Sequence, residues 1–151
     1  MKHRQRRNDR ERGSATIEAV IGVPAFLLFV LLIIAAGRIA VARQAVEASA
    51  AEAARSASIA RTQSQAGTNG VSAAANSLKN QRVRCASQRV DIDTSGFAAP
   101  VGTPAKITAT VTCIADLSDL AIPGLPGRRT ITATMSSPCL LYTSPSPRDR
   151  S

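Results

Sequence analysis

Residues 19–37 read AVIGVPAFLLFVLLIIAAG, nineteen positions without a charge. At 1.5 Å per residue this run makes roughly 28 Å of helix, close to the hydrocarbon thickness of a bilayer. A core helix of a soluble protein carries a polar stripe, and this run has none. It reads as a membrane-spanning segment, and the rest of the chain is organised around it.

Upstream, residues 1–13 (MKHRQRRNDRERG) hold Lys2, Arg4, Arg6, Arg7, Arg10 and Arg12 against Asp9 and Glu11, a net +4. Basic flanks stay on the cytoplasmic side, so the N-terminus is expected inside and everything after Arg38 outside. A basic arm also suits phosphates, but no aromatic stacking residue accompanies this one, so a nucleic-acid partner is not expected. The whole chain has 151 residues and a net charge of +9. The leader carries much of that excess, and the high pI says little about partners.

Downstream, residues 38–65 (RIAVARQAVEASAAEAARSASIARTQSQ) contain neither Pro nor Gly and are rich in Ala. Ile39, Ala42, Val46, Ala50, Ala53, Ala57 and Ala60 recur at helical spacing. One helix from about Ser14 to Ser64 is expected, roughly 75 Å long, with Pro24 kinking its membrane part. The glycines of residues 67–70 (GTNG) should then break the chain before a short second helix over 71–82. Strand character follows. Residues 106–114 alternate, with Ile107, Ala109, Val111 and Cys113 on one face and threonines on the other. Residues 129–135 repeat the pattern with Ile131, Ala133 and Met135. In residues 83–93 the alternation changes phase, which a bulge near Ser87 would reconcile. The expected fold class is α+β, a long N-terminal transmembrane and amphipathic helix followed by a small three-stranded antiparallel sheet.

Chemistry-bearing residues are sparse. His3 is the single histidine, aromatics make up 3% of the chain, and no phosphate loop, dinucleotide fingerprint, zincin helix or CxxC pair occurs. No enzyme, cofactor, metal centre or small-molecule substrate is expected. Cys85 and Cys113 fall in neighbouring expected strands on the oxidising side of the membrane, where a disulfide would close about 28 residues. In the chain-entropy account that closure contributes roughly 3 kcal/mol. Two independent buried thiols are the alternative.

The stretch GSATIE, residues 13–18, is the most informative. A carboxylate at the mouth of a membrane helix is expensive and usually has a partner. One account is plain helix chemistry, with Ser14 as N-cap and Glu18 complementing the macrodipole. The other is a resemblance: in type IV pilins a glycine before the cleavage point and a glutamate at the fifth mature position form the prepilin-peptidase signature. Gly13, Ser14 and Glu18 fit it. Cleavage after Gly13 would remove the basic leader, and Glu18 would become the assembly carboxylate. A competing route is signal-peptidase cleavage at the A-x-A pattern Ala40-Val41-Ala42, giving a secreted domain.

Residues 11–58 together resemble the TadE-like family of the tight-adherence pilus system. The order is a basic leader, Gly and Glu at the helix mouth, an apolar run with an internal Pro, the exit Gly37-Arg38, then Ala42-Arg43-Gln44-Ala45 in an Ala/Arg-rich helix. Ala19 stands where family members usually carry Phe. The resemblance implies a non-catalytic pseudopilin of the bacterial cell membrane, single-pass and with its C-terminal domain outside. Its implied partners are the membrane, a prepilin peptidase, other pilin-like subunits and the pilus assembly machinery. The rival is a membrane-anchored or secreted small binding domain unrelated to pili.

The expected organisation is a leader at 1–13, a membrane helix at 14–37 and an extracytoplasmic Ala-rich helix at 38–66. A small α+β domain follows at 67–138, then a tail at 139–151. The tail (CLLYTSPSPRDRS) resembles a translated transposase sequencing adapter and is expected to be an artefact of assembly rather than authentic protein.

Overall fold

The computed structural model describes residues 5–100, 102–120, 124 and 126–139, with the side chains of residues 5–17 and 120 outside that description. The leader residues 1–4 and the tail from residue 140 lie outside it too. Helix α1 spans Gln5–Ser58 and continues on both sides of Pro24. Helix α2 spans Gln63–Asn80, and strands β1 (Cys85–Asp93), β2 (Lys106–Asp116) and β3 (Arg128–Pro138) complete the fold. The strands form one antiparallel sheet in the order β1-β2-β3. The α+β architecture expected from the sequence is the one observed.

The break between the helices differs from the sequence reading. Helix α1 stops at Ser58, and α2 runs straight through Gly67 and Gly70. Local chemistry explains the shift. Thr62 adopts an extended conformation and its Oγ1 accepts a hydrogen bond from the Gln65 backbone N–H at 3.2 Å, capping α2. Glycine in a helix costs about 1 kcal/mol relative to Ala, which tertiary contact can offset. At Gly70 that contact is evident. A Cβ there would stand 2.9 Å from Ile92 Cδ1 and 3.3 Å from the Ala53 carbonyl oxygen, so the glycine lets α2, α1 and β1 meet closely.

Both helices lie on one face of the sheet, α1 against β2 and β3 and α2 against β1. The core joins Ala42, Val46, Ala50, Ala53 and Ala54 of α1 to Ala74 and Leu78 of α2. Ala109, Val111, Cys113, Ile131 and Ala133 meet them from the sheet. Because α1 is covered from two directions, its buried surface is wider than the expected single stripe. Ala45, Ser49 and Ser58 are buried as well, and both serine hydroxyls donate to carbonyls three residues back at 2.8 Å. Ile39 is only half-buried, and Met135, expected on the apolar face of β3, is exposed.

The phase change in β1 appears as a register shift between Cys85 and Ser87. Beyond it, Val90 pairs with Val111 and Ile92 with Ala109. Cys85 and Cys113 are joined by a disulfide with Cα atoms 5.4 Å apart, tying β1 to β2 across 28 residues. On the outer face, Thr110 and Thr134 share a hydrogen bond at 3.0 Å, as do Thr112 and Thr132 at 3.2 Å. Cys139 is seated in the domain, since its backbone N–H donates to Ala105 at 2.9 Å and its thiol is buried beside Ser58.

Candidate functional site

Two features of α1 carry the functional question, its bare apolar segment and the place where the folded domain begins. Val20, Phe26 and Leu32 are 67%, 65% and 49% exposed, and most of the large apolar side chains between them are similarly uncovered, with Val30 and Leu31 half-buried. An apolar surface of this extent in water would be strongly unfavourable at about 25 cal/mol per Å², so lipid or other apolar helices must cover it. Among the described residues one helix is long and apolar enough to cross a membrane, and its most apolar window is 6% buried.

Glu18 stands at the entrance of this segment with an exposed side chain. Gly13 and Ser14 lie in the helical backbone of α1, and their side chains fall outside the described residues. The three are therefore on one helix immediately before the apolar surface. Among the described residues no three of His, Cys, Asp and Glu come together in a way that would hold a metal ion.

The domain begins abruptly. Ala35, still inside the apolar run, is buried, and Arg38 forms an ion pair with Asp119 from the segment after β2. That guanidinium, donating a hydrogen bond, holds the Asp119 carboxyl below the usual carboxylate range. Nearby Asp116 is held low mainly by the Ser118 hydroxyl, which donates at 2.6 Å, and by the Ser118 backbone N–H at 3.0 Å. A cleft of about 620 Å³ separates the α1 exit (Gly37, Arg38, Val41, Ala42) from residues 81–84 and residues 115–119.

Residues 81–84 enter that cleft through an unusual helix end. The Val83 N–H reaches the Leu78 carbonyl and the Arg82 N–H reaches that of Lys79, the paired bonds of a Schellman motif. Its left-handed position, normally glycine, is occupied by Arg82 at φ 55°. Nothing in the sequence pattern signals either the Arg38–Asp119 pair, whose members are 81 residues apart, or the left-handed arginine. The first needs the sheet to fold. The second contradicts the local preference a sequence reader relies on.

The helix mouth, the bare apolar helix and the polar exit occupy one continuous stretch of chain, which the comparison with known families covers. Residues 13–55 match the TadE-like protein family. The matched stretch runs from Gly13, through the bare helix, to the core-forming alanines of α1. The TadE-like match ends before α2, so the sheet and the disulfide lie outside it. No curated protein and no solved structure matches the chain.

Proposed function

We propose that this chain is a pilin-like, non-catalytic membrane protein contributing to assembly of a tight-adherence type IV pilus. The observation that carries the reading is coincidence. The TadE-like match at 13–55 falls on the one helix, among the described residues, that is long and apolar enough to cross a membrane and left uncovered, while the domain behind it has its own buried core. Residues 14–37 span the membrane with the N-terminus in the cytoplasm, following the basic residues of the leader. The domain built on residues 38–138 stands outside, where its disulfide persists.

In this reading a prepilin peptidase cuts between Gly13 and Ser14. Loss of the charged leader lets the mature helix move along the membrane normal and pack beside helices of other pilin-like subunits. Glu18, desolvated among them, gains a partner in the newly exposed amine of Ser14, since a charge in a low-dielectric bundle is stable only when paired. A plain anchor has no use for an acid at this depth.

Co-expression with a prepilin peptidase, followed by intact-mass and N-terminal analysis, tests the proposal, with Gly13→Ala as control. The expected product starts at Ser14 and disappears in the variant. An uncut chain would leave a simple membrane anchor, and a start at Arg43 a secreted domain.

A further inference from the structure

We propose that the arginine-lined cleft at the base of the domain binds the phosphate of an anionic phospholipid in the leaflet that the domain faces. The inference rests on the reading of residues 14–37 as a membrane span.

Position comes first. The cleft starts at Gly37, the last residue of the uncharged run, and at Arg38 beside it. Headgroup layers add several ångströms on each side of the hydrocarbon, and residues 38–41 rise about 5 Å along a helix, so they lie in that layer. Burial of Ala35 shows that the fold extends down to this depth, with no linker between the span and the domain.

Charge is the second argument. Arg38, Arg82 and Arg84 line the cleft, and Arg128 pairs in register with Asp116 at its edge. Two acids oppose them, but Asp119 is engaged by Arg38 and Asp116 accepts both Ser118 donors. Arg38–Asp119 is the sole ion pair among the described residues, and Arg84 and Arg128 act on the Asp116 carboxylate through space, so Arg82, Arg84 and Arg128 together face one carboxylate and leave a local excess of positive charge. Arginine suits phosphate because its planar fork donates two parallel hydrogen bonds.

The third argument is Arg82 itself. A glycine would satisfy its left-handed backbone better, yet the position carries the longest cationic side chain available. Strain retained at a cleft is the expected mark of a side chain kept for what it binds. Val41, Val83 and Leu117 supply apolar wall beside the charges, matching a headgroup that continues into acyl chain.

The test uses the full chain in phosphatidylcholine vesicles containing spin-labelled phosphatidylglycerol or spin-labelled phosphatidylcholine. The readout is the ratio of the two association constants. A basic side chain near an anionic surface contributes roughly fivefold. The wild-type ratio should therefore favour phosphatidylglycerol, fall several-fold in Arg82→Gln/Arg84→Gln to the level set by the basic leader, and be largely kept in Arg82→Lys/Arg84→Lys. Excess inorganic phosphate should leave it unchanged; a ratio abolished by phosphate would assign the cleft to a soluble anion and overturn the proposal. A wild-type ratio near one, or one that survives the Gln substitutions, also overturns it. Resistance to carbonate extraction is measured on the same vesicles. If the chain is extracted, the membrane span itself fails, whereas a retained chain with no preference defeats only the lipid site.

Discussion

Arg82 shows how one residue can set local stability against electrostatics. A left-handed conformation costs a non-glycine residue about 1 kcal/mol, and the helix end at Arg82 is otherwise complete, with both Schellman hydrogen bonds made. Arg82→Gly should therefore raise unfolding stability by about 1 kcal/mol in denaturant titrations while removing one positive charge from the cleft. A destabilised variant would mean that the arginine side chain contributes more packing than its position suggests. Asp119 gives a pH-dependent counterpart. Its carboxyl titrates below the ordinary range because Arg38 donates to it, so the pair's contribution is complete above the unfolded-state pKa and is lost as pH falls through the folded one. In Arg38→Gln the Asp119 midpoint, followed by carboxyl carbon NMR, should rise toward the ordinary value. An unmoved midpoint would show that the ion pair is not formed in solution.

At the scale of elements, the close approach of backbones decides what can change. The short 3-10 turn at Ser95–Ala98 brings Gly96 so near β2 that a Cβ would stand 2.5 Å from the Lys106 carbonyl oxygen. That atom is backbone and cannot swing away. Gly96→Ala should cost about 1–3 kcal/mol by displacing the turn from the start of β2, read as a lowered denaturation midpoint. The same kind of contact explains which elements could be read from sequence. The apolar run, the alternating strands and the phase change near Ser87 are periodic signals, and each became the element it implied. The end of α1 was missed because Gly67 and Gly70 look like breakers in isolation. Only the packing of Gly70 against Ala53 and Ile92 makes glycine the required residue there. A usable cue did exist, since Thr62 and Gln65 have capping-box spacing. At the candidate site, Glu18 and the helix mouth were legible because they are contiguous in sequence. The cleft was not, because it joins three distant segments.

The whole molecule divides into a segment that needs an outside partner and a domain that satisfies itself. The apolar window of α1 is 6% buried, whereas Val46, Ala50 and Ala53 of the same helix are fully buried. Stability of the domain should therefore be nearly independent of the apolar segment, although a single unbroken helix runs through both. A chain beginning at Arg38 keeps every α1 residue of the main core, the Cys85–Cys113 disulfide and the Asp119 pair. What it loses is Ala35, whose small side chain is worth about 1 kcal/mol of burial. The shortened chain is expected to fold as a soluble domain with the disulfide formed and a thermal midpoint a few degrees below that of the full chain in detergent. The full chain, carrying the same core, should require detergent or lipid to stay monomeric. Circular dichroism and non-reducing mass analysis of the two chains would decide the matter. A shortened chain that fails to fold would show that residues 18–37 stabilise the domain beyond what their exposure allows, and the division into anchor and autonomous domain would have to be given up.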